Sequence, residues 1–100
     1  MKVEVVFTED FRADLMEQTR HLIAQERPEW AERLFEEVEV TARLLGHSPR
    51  AGPVESKLRG RAVRRLIFWR LPFVAWYHWD AKARRVVVLR LFHVRQSRSL

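Results

Sequence analysis

Five basic side chains fall within nine residues, Lys57, Arg59, Arg61, Arg64 and Arg65, with only Leu58, Gly60, Ala62 and Val63 between them. Cations at this density suit either an anion-facing surface or a solvated loop and strand edge, and the two readings carry about equal weight. Arg70, Arg90, His93, Arg95 and Arg98 continue the same sign toward the C-terminal end. Residues 51–100 hold 12 Lys/Arg against 2 Asp/Glu, a balance of +10, and residues 1–50 hold 7 against 11, a balance of −4, giving the net +6. A chain divided in this way is suited to meet something negative on one side: nucleic acid, an acidic protein segment, or each in turn.

Other side chains that could do chemistry are fewer. An imidazole titrates near neutral pH, so His93 can act as a general acid or base; it can equally close a strand by bonding to backbone, and that second role has more weight. His21, His47 and His78 have no His, Cys or paired carboxylate at ligand spacing, so neither a metal site nor a cofactor is expected. Trp69, Trp76 and Trp79 could stack on bases, but aromatics in strands more often pack, which applies most to Trp76. Glu36, Glu37 and Glu39 could imitate DNA phosphates and read more simply as an exposed helix face.

The elements that must position these groups follow from periodicity. Val3, Val5 and Phe7 alternate with Lys2, Glu4 and Val6, a short strand. Thr8 with Glu9 and Asp10 behind it is a helix start, since a hydroxyl and early acids satisfy the free N–H groups. Phe11, Leu15, Leu22 and Ile23 then hold one helical face to about Gln25. Pro28 restarts a helix and Trp30, Leu34, Val38, Ala42 and Leu45 recur at helical spacing, with Gly46 and Pro49 as stop signals. Residues His47 to Arg61 contain Pro49, Gly52, Pro53 and Gly60 and read as a connecting loop. Three strand-like runs follow: Ala62 to Arg70, Phe73 to Trp79, and Arg85 to His93, with short links that make them antiparallel neighbours. The expected architecture is α+β with order β-α-α-β-β-β, a helical hairpin packed on one face of a twisted, mainly antiparallel sheet.

One hundred residues make a single domain spanning 1–100, and four Trp and six Phe supply the bulk for its core. There is no Cys, which fits a reducing compartment. The first residues lack the apolar run of a signal peptide, and the longest apolar stretch, Leu71 to Tyr77, is too short to span a bilayer. The expectation is a cytoplasmic protein with no membrane partner.

The element order, the length and the second half of the chain resemble the RelE/ParE superfamily of bacterial toxins from type II toxin–antitoxin systems. The matching residues are Lys57-Leu58-Arg59-Gly60, Arg64-Arg65-Leu66, Leu71-Pro72-Phe73-Val74-Ala75-Trp76-Tyr77 and the closing run Val86 to Gln96 with its His93-Val94-Arg95 end. The resemblance covers nearly the whole chain. It implies a growth-inhibiting, plasmid-stabilising toxin neutralised by a cognate antitoxin, whose acidic disordered segment folds on binding and through which alone the toxin meets operator DNA.

Two branches of that superfamily differ in chemistry. RelE-like members cut mRNA on the ribosome, using basic side chains on the sheet and commonly a Tyr near the C-terminus to activate the RNA 2′-OH and steady the phosphorane. ParE-like members act on DNA gyrase and need no hydrolytic site. Here Arg65 matches a basic position of the RelE kind, but the next position on the same face is Ile67. The family's Arg after the turn aromatic falls at Val74, and no Tyr follows His93; Tyr77, the one Tyr of the chain, stands at the structural Tyr position. Arg65, His93 and Arg95 are thus weak catalytic candidates. The resemblance favours a ParE-like gyrase toxin, with Lys57, Arg59, Arg61, Arg64, Arg65, Arg70, Arg90, His93, Arg95 and Arg98 as a target- or antitoxin-binding surface. A RelE-like ribonuclease and a degenerate toxin acting only in antitoxin binding and co-repression stay as alternatives.

Overall fold

The computed structural model describes residues 2–96. Its elements are β1 (Glu4–Phe7), α1 (Glu9–Ala24), α2 (Pro28–His47), β2 (Val54–Leu58), β3 (Arg61–Ile67), β4 (Phe73–Asp80) and β5 (Arg85–His93). The strands form one sheet in the order β1-β5-β4-β3-β2. β1 runs parallel to β5, and the other neighbours are antiparallel. The expected α+β order holds, with one strand more than the periodicity indicated.

That strand is β2, inside the His47–Arg61 segment expected to be loop. Its five residues, Val-Glu-Ser-Lys-Leu, are exposed except for a half-buried Ser56. An edge strand with so little burial leaves no apolar alternation to read. Its hairpin to β3 turns at Arg59 and Gly60, with φ of 52° and 79°. Two successive positive φ values make the tight turn whose twist matches the flanking strands. Gly60 is therefore a hairpin tip.

The helices start as the sequence indicates. Thr8 caps α1 by accepting from the Phe11 N–H at 3.0 Å, and Pro28 opens α2. Between the helices and the sheet lies the main core, with Phe11, Leu22, Leu34 and Leu45 against Phe73, Ala75 and Tyr77 of β4 and Val86, Val88 and Leu91 of β5. A second cluster, Val63, Val74, Trp76 and Phe92, sits on the opposite face of the sheet. β4 is buried on both faces, which is why Phe73 to Tyr77 is continuously apolar instead of alternating.

α1 is fastened to β5 where β1 gives out. β1 ends at Phe7, opposite Val88. One residue further on, the β4–β5 register slips, since Tyr77 faces Val88 and Trp76 faces Arg90, leaving Leu89 as a bulge. The Thr8 N–H donates to the Val88 carbonyl at 3.1 Å, and the Thr8 hydroxyl donates to the Leu89 carbonyl at 2.9 Å. The Leu91 N–H donates to the Asp14 carboxylate at 3.0 Å. Arg90 grips the same carboxylate through Nε at 2.7 Å and Nη2 at 2.9 Å. The Asp14 side chain, 8% exposed, is thus an acceptor for an edge that would otherwise lose its backbone partners.

Glu37 plays a similar part on α2 and corrects the expectation of an exposed acidic face. Glu36 and Glu39 are exposed, but Glu37 is buried and accepts from the Arg70 N–H at 2.7 Å, holding the β3–β4 turn.

Asp14→Ala should strand the Leu91 N–H and release Arg90, whose side chain is partly exposed. A loss of about 2–3 kcal/mol is expected, read as a lower midpoint in urea unfolding.

Candidate functional site

The sheet face away from the helices carries the candidate surface. Val63 belongs to the cluster on that face, so Arg61, Arg65 and Ile67, at even spacing along β3, point the same way. Lys57 pairs with Ala62 and Arg64 with Tyr77, which places both on the helix side. Strand alternation therefore splits the basic run: Arg61 and Arg65 face outward and Arg64 faces inward.

Arg64 is taken up by the fold. Its Nη1 donates to the Gly52 carbonyl at 2.7 Å and, more loosely, to the Arg50 carbonyl at 3.4 Å. The Gly52 N–H donates to the Tyr77 hydroxyl at 2.9 Å, and the Arg65 N–H donates to the Pro53 carbonyl at 3.0 Å. A side chain at position 52 would run into the Arg65 carbonyl, so glycine is required there by contact, not by φ. This clamp lays the start of β2 against β3. Burial pushes the Tyr77 phenol up from its ordinary value, against the smaller opposing pulls of the Gly52 N–H and the Arg64 charge.

Glu55 lies in the irregularity between Val54 and Ser56, and its carboxylate accepts from the Trp76 indole N–H at 2.8 Å. The Trp76 ring also meets Phe92 edge-on at 4.7 Å. With its N–H engaged and its ring buried, Trp76 is a packing residue, as its place in the strand suggested.

Toward the β2–β3 turn the face opens into a groove of about 450 Å³. Its floor is aliphatic, from Leu58, Val63, Val87 and Leu89, and its rim carries Arg59, Arg61 and His78. His78 Nδ1 lies 3.1 Å from the Ala62 carbonyl; only a protonated Nδ1 can make that bond, which leaves Nε2 for a groove occupant. Asp80 stands nearby. The Ala83 N–H foremost, with the charges of His78 and Arg61, holds its carboxyl below the ordinary carboxylate value.

The other expected site residues scatter. Arg90 turns to Asp14 on the helix side. Arg70 is exposed at the β3–β4 turn next to Trp69, which is 84% exposed. His93 packs edge-on against Phe73 at 5.5 Å. Its Nδ1 accepts from the Arg95 N–H at 3.1 Å and its own N–H donates to Gln96 at 2.8 Å. His93 therefore closes the strand and shapes the turn after it, with Arg95 exposed. Arg98 lies outside the described residues. Ile67 is exposed on the outer face, and its cross-strand partner Val74 is buried beside it. Among the described residues no group of His, Cys, Asp or Glu could hold a metal ion, and no helix is long and apolar enough to cross a membrane. Asp14 and Glu55 escaped the sequence reading, which took Gly52 only as part of a loop and His78 only as a side chain without ligand spacing; Glu55 and Asp80, the only acids of a basic half, were the visible signal.

Comparison with known proteins agrees with this fold. The family model described as the ParE toxin of the type II toxin–antitoxin system matches residues 5–98. A chain of the chromosomal ParDE toxin–antitoxin system of P. aeruginosa is 23% identical, covering 91% of this chain and 95% of that one with a TM-score of 0.71. A chain of the RelBE2 toxin–antitoxin complex of Mycobacterium tuberculosis is also 23% identical, covering 93% and 92% with a TM-score of 0.57. At these identities the two structures bear on fold. No curated protein sequence matches the chain.

Tyr77→Phe should leave the buried Gly52 N–H without an acceptor and cost about 1–3 kcal/mol in thermal or urea unfolding. With the folded phenol raised above its ordinary 10.0, both states are protonated below that pH. Above it the unfolded chain ionises first, so the parent should lose stability as pH rises past about 10. The Phe variant should lack that part of the slope.

Proposed function

The chain belongs to the ParE toxin family of type II toxin–antitoxin systems, and on that premise we propose that it arrests growth by binding DNA gyrase, cuts no bond itself, and is neutralised in the cytoplasm by a cognate antitoxin. The observation that carries the non-hydrolytic part is the placement of Tyr77. The single tyrosine of the chain is fully buried on the helix side, with its hydroxyl committed to Gly52. On the outer face, Ile67 and Val74 stand where RNA cleavage would call for cations, beside Arg61 and Arg65. A guanidinium pair can bind an anionic surface, but it is a poor general base, since arginine stays protonated.

The target is then met by recognition. Arg59, Arg61 and Arg65 supply positive charge on the outer face, while Arg64 and Arg90 are spent within the fold. Steering of an acidic partner by such a surface is screened by salt.

Purified gyrase with saturating protein should lose supercoiling activity; unchanged supercoiling would sink the gyrase assignment. Primer extension on translated mRNA should show no new cleavage, and cleavage that depends on this chain would favour the RelE-like alternative. Co-expression of the neighbouring antitoxin gene should restore growth. The affinity of the pair should fall as salt rises from about 50 to 500 mM, and a salt-independent affinity would count against the charge-based part of the account.

A further inference from the structure

The β3–β4 turn holds the most exposed large apolar side chain among the described residues. Trp69 is 84% exposed, yet Phe68 before it and Leu71 after it are buried. The backbone beneath it is fixed. The Phe68 N–H donates to the Phe73 carbonyl at 2.9 Å, and the buried Glu37 carboxylate accepts from the Arg70 N–H at 2.7 Å. An indole held in water on a rigid support gains apolar burial on contact and loses little freedom.

Trp69 is not an isolated apolar group. With Arg33, Glu36, Glu37, Val40 and Arg70 it walls a hollow of about 240 Å³. Val40 is exposed, and so is Leu44 one helical turn on. The side chains of Arg33, Glu36 and Arg70 make no ion pair or hydrogen bond among the described residues. A protruding ring and a hollow that can take a ring thus lie side by side, bordered by charges of both signs. That composition favours one occupant. A uniformly acidic partner would meet Glu36, and a uniformly basic one would meet Arg33 and Arg70. A surface that carries knob, hollow and both charges matches itself, because across a two-fold axis each contact is made twice in opposite senses.

We propose that this face joins two copies of the chain about a two-fold axis, each Trp69 entering the hollow of the other copy over Val40, with Arg33 of each paired to Glu36 of the other. The patch is small, which places the dimer at the weak end of specific interfaces, with a Kd on the order of 10–100 μM. Arg70 then belongs to this face and not with the groove arginines. The proposal goes beyond the toxin reading and does not depend on the choice of target.

Sedimentation velocity of the full chain, from about 1 to about 300 μM, spans the expected transition. The parent should pass from monomer to dimer over that range, and Trp69→Ala should weaken the dimer about tenfold or more. Arg33→Glu and Glu36→Arg should each weaken it about tenfold, because each turns two attractions into two repulsions. A mixture of those two variants should dimerise again, since opposite charges then face each other at both positions. A merely structural role for either residue would give no such rescue. All three side chains are exposed, so the substitutions leave the fold intact. A parent that stays monomeric, a dimer indifferent to Trp69→Ala, or a mixture no more associated than its components would each overturn the proposal. A monomeric parent whose affinity for antitoxin or gyrase falls in Trp69→Ala would assign the turn to that partner and overturn it likewise.

Discussion

The sheet depends on how the outer edge of β5 is completed. β1 covers that edge only as far as Val88. Beyond it, α1 supplies the missing partners through Thr8 and the Asp14 carboxylate. A buried carboxylate is tolerable because it accepts from Arg90 and from a backbone N–H at once, so no charge is left unpaired. The same contacts set the height of α1 over the sheet, and with it the seat of Phe11 and Leu22 in the main core.

A parallel constraint works at the other end of the sheet. β2 buries almost nothing of its own, and a strand of that kind does not hold its place by hydrophobic contact. It is placed by polar contacts: Gly52 between Tyr77 and Arg64, Pro53 against Arg65, and Glu55 reaching Trp76. These contacts fix the hairpin that carries Arg59 and Arg61. The outward basic surface is consequently only as rigid as a few side-chain bonds to β3 and β4.

The positive half of the chain has two uses that charge counting does not separate. Arg64 and Arg90 are internal fasteners, each satisfying oxygens of the loop before β2 or of α1. Arg59, Arg61 and Arg65 face outward without such duties. The proposed recognition role needs the second group presented rigidly, and the first group supplies that rigidity.

Much of the architecture was legible in the chain. Thr8 before two acids, Pro28, and the apolar run ending at His93 marked α1, α2 and β5 closely, because capping and periodicity are local effects. The family resemblance, carried by short motifs in order, led to the same sheet. β2 was not legible, since an exposed edge strand is held by residues distant in sequence and shows no alternation of its own. The face on which each arginine lies was legible for β3, where a period of two assigns it, but the bulge at Leu89 turns Arg90 toward Asp14, and only pairing with β4 reveals that slip. The sequence by itself determined the helix starts, the apolar strands and the surplus of positive charge, all of which follow from neighbours along the chain. Tertiary structure alone decided which cations became fasteners and which became surface, because that depends on acceptors distant along the chain, 76 residues away in the case of Arg90.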